Sequence, residues 1–308
     1  MSDVKLFRLG PMGVSELEGK EVVIEKSLQT LIETNAPAML GVRLLRSEYL
    51  TGSTHGGRID SLGIDENNSP VIIEYKRSQN DSVINQGLFY LDWLMDHRAE
   101  FQLLVQEEFG AEAAKVIDWR NPRVICIAGS FNRYDEHAVK QIGRNMALVR
   151  YKRFGDELLL LETVNPNVSS GSAGSAAVTS ARPSRVKAMG SSDAEAALIR
   201  ASPELSDCFH LLEDYALSFG DDVQKKVLKV YIAYARLKNF ACVAVYPQAK
   251  VITVWLKLDP KNLQLKGGFS RDVSEIGHAG TGDLEISIRS QADVEQAKPL
   301  IQASYQGS

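Results

Sequence analysis

The sequence predicts a two-domain α/β protein, in which a mixed sheet flanked by helices precedes a smaller α+β domain. Helix-like and strand-like segments alternate through residues 1–165, and a second set of both fills residues 193–308. Between them, residues 166–192 are rich in Gly, Ser and Ala without an apolar period, which is typical of a flexible linker. A chain of 308 residues is long enough to bury a core in each domain.

In the first domain, residues 25–33 carry apolar side chains at helical spacing, and the Pro at position 37 is predicted to end that helix. Three strand-like stretches follow, the third being VIIEYK at residues 71–76. Residues 82–109 predict one long helix, and RVICIAG at residues 123–129 predicts a strand buried on both faces. A helix over 134–143 follows, and two strands, MALVRYKRF at residues 146–154 and ELLLLETV at residues 157–164, flank a hairpin turn at residues 155–156 and complete the domain. The order α-β-β-β-α-β, then α-β-β, indicates a central sheet with helices packed against it.

The second domain is predicted to open with a helix over residues 204–220, to continue as strands over residues 229–259, and to close with a helix over 291–305. A loop, GHAGTGD at residues 277–283, could cradle a phosphate with its backbone N–H groups, but a phosphate loop needs a Lys-Ser/Thr pair and a following helix, and here a strand follows. A structural turn is therefore favoured. Five aromatic residues offer either stacking surfaces for unpaired bases or ordinary core and cross-strand pairs: Tyr231, Tyr234, Phe240, Tyr246 and Trp255.

Charge and composition narrow the functional classes. The net charge is −4, and residues 1–165 hold 19 Lys and Arg against 24 Asp and Glu. Because phosphate neutralisation drives non-specific nucleic-acid binding, such a function would need a local basic groove and metal ions to offset the acids. No apolar run approaches the roughly 20 residues of a membrane span, and the start MSDVKLFRLG lacks a signal-type apolar region. The three cysteines, Cys126, Cys208 and Cys242, predict buried thiols, and the expected location is cytoplasmic.

The candidate chemistry lies in RIDSLGIDENNSPVIIEYKR, residues 58–77. Alternate side chains of a strand share a face, so Glu74 and Lys76 should project together. A short turn at residues 67–70 would set the preceding strand antiparallel and bring Asp60 beside them. Two carboxylates suit Mg²⁺ or Mn²⁺, which can polarise a phosphate and activate a water, and Lys76 would orient or deprotonate that water or stabilise phosphate charge. The alternative is a solvated strand face whose charges serve solubility.

This arrangement resembles the PD-(D/E)XK nuclease superfamily, and within it the archaeal and actinobacterial endonucleases that cut branched, single-stranded or mismatched DNA. The resemblance implies a restriction-endonuclease-like fold with Asp60 and the Glu74-Tyr75-Lys76 triplet at its site. It also implies a third metal acid from the first helix, where Glu25 fits better than Glu33. Together the implied residues are the metal acids Glu25, Asp60 and Glu74, the catalytic Lys76, and the supporting Gln86 and Tyr90, one helical turn apart.

Several of these residues have other interpretations. Glu25 could instead complement the positive N-terminal end of its helix, Gln86 could face solvent, and Tyr90 could be a helix-core aromatic. Arg58 and Arg77 flank the acids. They could contact substrate phosphate as guanidinium forks, or act as counter-ions that lower the cost of clustered carboxylates.

The second domain resembles an uncharacterised domain found at the C-terminus of bacterial nuclease-type and predicted transport proteins, and that resemblance supplies no activity. A role in recognition or regulation is our expectation for it. For the whole chain we predict a Mg²⁺- or Mn²⁺-dependent endonuclease that hydrolyses phosphodiester bonds, with DNA favoured over RNA, in repair or defence. The rival hypothesis is a non-catalytic nucleic-acid- or protein-binding protein that retains the fold. The resemblance also implies a homodimer, because many nucleases of this fold pair to cut both strands; no membrane partner is expected.

Overall fold

The structure is a computed structural model that describes residues 4–11, 13–20, 25–52, 56–76, 83–165 and 193–308. The chain forms two compact units, residues 1–167 and 168–308, and the predicted α/β class of a two-domain protein is confirmed. The linker predicted at residues 166–192 lies outside these described ranges. Within them, no helix is both long enough and apolar enough to cross a membrane.

The first unit is built on a seven-stranded sheet in the order β3-β8-β7-β6-β5-β4, with β9 beside β8. Its strands β6, β7 and β8 run parallel, and the other pairs are antiparallel. A separate antiparallel hairpin, β1–β2, precedes the sheet. The strands are β1 (Leu6–Gly10), β2 (Gly13–Leu17), β3 (Gly19–Lys20), β4 (Val42–Leu50), β5 (Arg58–Asp65), β6 (Pro70–Tyr75), β7 (Arg123–Ala128), β8 (Met146–Phe154) and β9 (Leu158–Asn165).

The helices of this unit differ from the prediction in one respect. The single long helix expected over residues 82–109 is wrong: two helices lie there, separated at His97, whose φ of −109° and ψ of 35° leave the helical region. The short α2 begins right after α1 and accommodates Pro37 in its first turn, where a missing N–H costs nothing. The helices are α1 (Glu25–Thr34), α2 (Ala36–Leu40), α3 (Val83–Asp96), α4 (Arg98–Phe109), α5 (Ala111–Lys115) and α6 (Arg133–Ile142).

The core of the first unit explains why its central strands are continuous apolar runs. Every residue of β6 and β7 is buried. For β7 this agrees with the predicted strand that is covered on both faces. On one face, Ile72 and Val124 pack with the buried side of α3, including Trp93. The strand that carries Glu74 is therefore an interior strand of the sheet, with β5 on one side and β7 on the other.

The second unit is a six-stranded antiparallel sheet in the order β10-β11-β12-β13-β15-β14. The main core joins one face of this sheet to the helices α7–α9. A short 3₁₀ helix, Pro260–Asn262, lies in the loop after β13. The elements are α7 (Asp193–Ile199), α8 (Pro203–Leu217), β10 (Gln224–Val227), β11 (Ile232–Ala235), β12 (Asn239–Tyr246), β13 (Val251–Leu256), β14 (Ser270–Asp272), β15 (Leu284–Ile288) and α9 (Gln291–Gln306).

The glycine-rich loop of this unit packs inward on the sheet. A Cβ at Gly280 would lie 2.5 Å from the Trp255 ring, and the Thr281 N–H donates to the Cys242 sulfur at 3.4 Å. These contacts favour the structural interpretation of the loop. Of the five aromatic residues weighed for base stacking, four are buried in the two cores, and Tyr246 is 41% exposed. All three cysteines are buried free thiols, as predicted.

Candidate active site

Two acidic side chains meet where β5 begins and β6 ends. The antiparallel register pairs Ser61 with Ile73, so its continuation by one residue sets Asp60 opposite Glu74. At that point each carboxylate accepts a backbone hydrogen bond from the opposite strand. The Asp60 N–H donates to Glu74 Oε1 at 3.2 Å, and the Tyr75 N–H donates to Asp60 Oδ2 at 3.0 Å. The two carboxylates are thus fixed side by side by the ends of the two strands.

Burial separates this pair from ordinary surface charges. Asp60 is 8% exposed, Glu74 3% and Lys76 9%. A solvated strand face, the alternative that the sequence left open, would leave these groups in water. Two carboxylates held close together away from solvent repel each other and lose hydration. The arrangement therefore favours binding of a cation at this point.

Lys76 follows directly on β6 and is held by a residue from another element. Its N–H donates to the Ile127 carbonyl at 2.9 Å, which extends the pairing with β7. Its ammonium lies 3.2 Å from Asp135 Oδ2 on α6 and 5.9 Å from the centre of the Phe131 ring. The sequence alone does not single out Asp135. Its position three residues after Asn132 signals a helix cap, but nothing in the sequence connects it to a lysine 59 residues earlier.

Tyr90 reaches the same end of β5 from α3. Its hydroxyl accepts a hydrogen bond from the Arg58 N–H at 3.1 Å, and its ring lies against Gly57. Burial raises the pKa of Tyr90, the Arg58 N–H opposes that rise, and the charges of Glu74 and Asp60 add to it. Tyr90 therefore stays a protonated phenol next to the acids.

The other predicted residues are placed less directly at the site. Gln86 is exposed on α3, one turn before Tyr90. The Arg58 guanidinium forms an ion pair with Glu48 Oε2 at 2.7 Å and remains 47% exposed, so it already has a carboxylate partner on β4. Arg77 lies outside the described residues. Glu25 begins α1, as predicted, but its side chain also falls outside the described part of the chain.

Glu33, the less favoured acid of α1, serves a different purpose. Its Oε1 accepts hydrogen bonds from Ser61 Oγ at 2.6 Å and from Gln29 Nε2 at 2.9 Å. Because neighbouring residues of a strand face opposite sides, a contact with Ser61 places Glu33 on the side of β5 away from the Asp60 side chain. Gln29 also donates to the Asp60 carbonyl at 3.0 Å. Helix α1 thus holds the Asp60 backbone from the side of β5 opposite to the Asp60 side chain.

The donor set suits a hard divalent cation. Magnesium is usually held by one or two carboxylates, with waters and substrate phosphate completing its shell. Asp60 and Glu74 supply that number. Among the side chains that the structure describes, no group of three or more His, Cys, Asp or Glu residues could hold a metal ion. A third protein ligand, as the resemblance implies for Glu25, stays a prediction.

Comparisons with known proteins identify similar chains without naming an activity for this one. Residues 195–308 match a family model described as a domain of unknown function, DUF5655, and that description mentions no transport. An uncharacterised protein of Haemophilus influenzae is 29% identical over 313 residues, covering 97% of this chain and 98% of the relative.

Two solved structures show partial similarity. One is a repair endonuclease from Pyrococcus abyssi, with 23% identity, a TM-score of 0.29, and coverage of 43% of this chain and 49% of that chain. The other is a complex of EndoMS with double-stranded DNA, with 19% identity, a TM-score of 0.25, and coverage of 44% and 51%. The chain spans about half the length of each of these structures.

Proposed function

We propose that the protein is a divalent-metal-dependent nuclease that hydrolyses phosphodiester bonds, with DNA as its substrate. The observation that carries this proposal is the pair of buried carboxylates, Asp60 and Glu74, fixed side by side with the ammonium of Lys76 two residues along the same chain segment. The choice of DNA rests on the resemblance of this acid-acid-lysine set to PD-(D/E)XK nucleases. An action in DNA repair or defence has the same basis.

Each residue has a distinct task in this proposal. Asp60 and Glu74 would hold Mg²⁺ or Mn²⁺, which when bound supplies Lewis acidity toward the phosphate and a more acidic water. The backbone N–H groups of Asp60 and Tyr75 keep the two carboxylates from rotating away. Lys76 orients the attacking water and stabilises charge that develops on the phosphate. Tyr90, kept protonated, can offer its hydroxyl to the substrate backbone.

The test compares wild type with Asp60→Asn and Lys76→Met on single-stranded, duplex, flapped and mismatched DNA and on RNA. Each reaction is run with Mg²⁺, with Mn²⁺ and with EDTA. We expect wild type to cut DNA only when Mg²⁺ or Mn²⁺ is present. Each substitution should lower kcat by at least about 100-fold, because each removes a group that acts on the transition state. Asp92→Asn is the matched control, since Asp92 is an exposed carboxylate on α3.

The possible outcomes separate the proposal from its rival. Cleavage that survives EDTA, or that Asp60→Asn leaves unchanged, would contradict the metal-dependent nuclease. Binding of DNA without cleavage on every substrate would support the non-catalytic binding protein instead. Cleavage of RNA but not DNA would keep the chemistry and overturn the choice of substrate.

A further inference from the structure

We propose that Asp135 is a positioning residue for Lys76: it holds the lysine ammonium at the metal side of the sheet so that it faces the scissile phosphate. This inference rests on the proposed nuclease function and adds to it a residue from outside the acid-acid-lysine set. The observation behind it is the 3.2 Å contact between Lys76 Nζ and Asp135 Oδ2, in which the two side chains are 5% and 16% exposed.

Lys76 needs such a partner because of its own chemistry. A lysine is a point charge on a flexible four-carbon stem, and its three donors rotate freely unless something fixes them. The backbone of Lys76 is fixed by its bond to Ile127, but that bond does not direct the ammonium. The Phe131 ring, 5.9 Å away, gives a broad attraction to a cation without a defined direction. The Asp135 carboxylate gives the direction.

Asp135 is itself held rigidly, which makes it suitable for this task. It is the third residue of α6 and forms a capping box with Asn132: the Asp135 N–H donates to Asn132 Oδ1 at 2.9 Å, and the Asn132 N–H donates to Asp135 Oδ2 at 3.0 Å. The same oxygen, Oδ2, therefore accepts from the Asn132 N–H and contacts the Lys76 ammonium. One carboxylate ties the start of α6 to the end of β6.

Asp135 comes from a different element than the metal acids, and among the described side chains it does not join them in a group of three that could hold a metal ion. It follows β7, whereas Asp60 and Glu74 lie on β5 and β6. Burial raises the pKa of the Cys126 thiol, the charges of Glu74 and Asp135 add to that rise, and Lys76 opposes it. The lysine thus has the metal-site acid Glu74 two residues before it and a carboxylate of another element at its tip. We assign the second one to orientation.

The central experiment measures kcat and KM on the DNA substrate that wild type cuts fastest, for Asp135→Asn in the full chain. Asparagine keeps an oxygen for the Asn132 N–H and removes the charge that holds Lys76. We expect kcat to fall by about 10- to 100-fold with KM changed less than about twofold, as for the loss of a supporting contact to a catalytic group. Asp135→Glu, which keeps the charge, should recover most of kcat. Asp135→Ser also keeps a cap oxygen and replaces the Asn variant if that one does not fold.

Two controls isolate the contact with Lys76. Asn132→Ala removes the side-chain oxygen that caps the Asp135 N–H but keeps the Asn132 N–H that holds the Asp135 carboxylate, so it should lower Tm while leaving kcat near wild type. Glu136→Gln removes one negative charge at the next position of α6 and should change neither. In a Lys76→Met background, Asp135→Asn should cause no further loss of kcat, because the residue through which it acts is gone.

A second measurement does not depend on catalysis. A brief pulse of acetic anhydride at fixed pH, followed by mass spectrometry, reports how accessible the Lys76 amine is. We expect faster acetylation in Asp135→Asn than in wild type, and no change in Glu136→Gln. A wild type that cuts nothing would refute the nuclease proposal and leave this measurement to decide the role of Asp135. If wild type cuts DNA, any of three results would overturn the positioning role. These are an unchanged kcat in Asp135→Asn, a loss of kcat in Asn132→Ala as large as in Asp135→Asn, and an unchanged rate of Lys76 acetylation in Asp135→Asn.

Discussion

Asp60 and Glu74 hold two carboxylates at the ends of neighbouring strands, and this has a cost when no cation is bound. Each of them accepts a backbone N–H from the other strand, which compensates part of the lost hydration. Their mutual repulsion remains, because both charges lie in a part of the sheet that is nearly closed to water. A site that binds a divalent ion should therefore be less stable without the ion than the same site with one acid neutralised.

This gives a prediction for Asp60→Asn that needs no substrate. Asparagine retains an oxygen for the Tyr75 N–H and removes one of the two charges that repel each other. In EDTA the variant should therefore be more stable than wild type by about 1 kcal/mol. With Mn²⁺ at 100 times its dissociation constant, wild type should gain about 2.7 kcal/mol and the variant much less. Thermal unfolding with and without Mn²⁺ measures both effects. Asp92→Asn, on the exposed side of α3, should show the wild-type response to metal, and an equal Mn²⁺ shift in Asp60→Asn would argue against a metal at this pair.

At the scale of single residues, the sequence predicts those side-chain positions that strand alternation and strand register determine. The two-residue alternation places Glu74 and Lys76 on one face, and the short turn before β6 forces the antiparallel register that brings Asp60 to Glu74. Two other contacts depend on the tertiary arrangement of the elements. The ion pair between Asp135 and Lys76 depends on how α6 packs near the end of β6, and that between Arg58 and Glu48 on the pairing of β5 with β4. The spacing of residues along the chain does not predict such tertiary contacts.

Among the secondary-structure elements, the contact between α3 and the start of β5 fixes Tyr90. A Cβ added at Gly57 would lie 2.6 Å from Tyr90 Cε1 and 3.0 Å from its hydroxyl oxygen. Because that hydroxyl also accepts the Arg58 N–H, any displacement of the ring would loosen the entry into β5. The glycine is thus required by close packing between the strand and the helix.

We therefore expect Gly57→Ala to destabilise the first unit by about 1–3 kcal/mol, as overpacking of a tight contact does. Cleavage should fall as well, because Tyr90 moves. The measurement is chemical unfolding together with a cleavage assay. In a Tyr90→Leu background the added methyl has room, so the cost of Gly57→Ala should shrink. An unchanged unfolding free energy for Gly57→Ala in wild type would mean that the ring does not pack on this glycine.

Long apolar elements are predicted well from the sequence, and short or exposed ones are not. Strand β8, Met146–Phe154, and the closing helix α9 follow their predicted segments closely, since burial imposes a clear pattern on them. The sequence does not predict the hairpin β1–β2, because neither strand has a buried residue and so no buried face imposes an apolar pattern on it. Strand β14 is three residues long, too short to show a period. The break at His97 interrupts a pattern that is helical on both sides.

On the scale of the whole molecule, each unit contains complete cores of its own. The cluster around Trp93 draws its buried residues from positions 45–148, and the two clusters of the second unit draw theirs from positions 194–301 and 228–273. The elements that carry Asp60, Glu74, Lys76, Tyr90 and Asp135 all belong to the first unit. Folding and the proposed chemistry of the first unit should therefore not require the second.

Expression of residues 1–165 and 193–308 as separate proteins tests this independence. Each fragment should unfold cooperatively, because its apolar surface is already buried within it. The first fragment should cut DNA in a metal-dependent way with a kcat within about threefold of the full chain, and a recognition role for the second unit would appear as a higher KM. Residues 193–308 should cut nothing. A folded first fragment without kcat would show instead that the second unit completes the catalytic site.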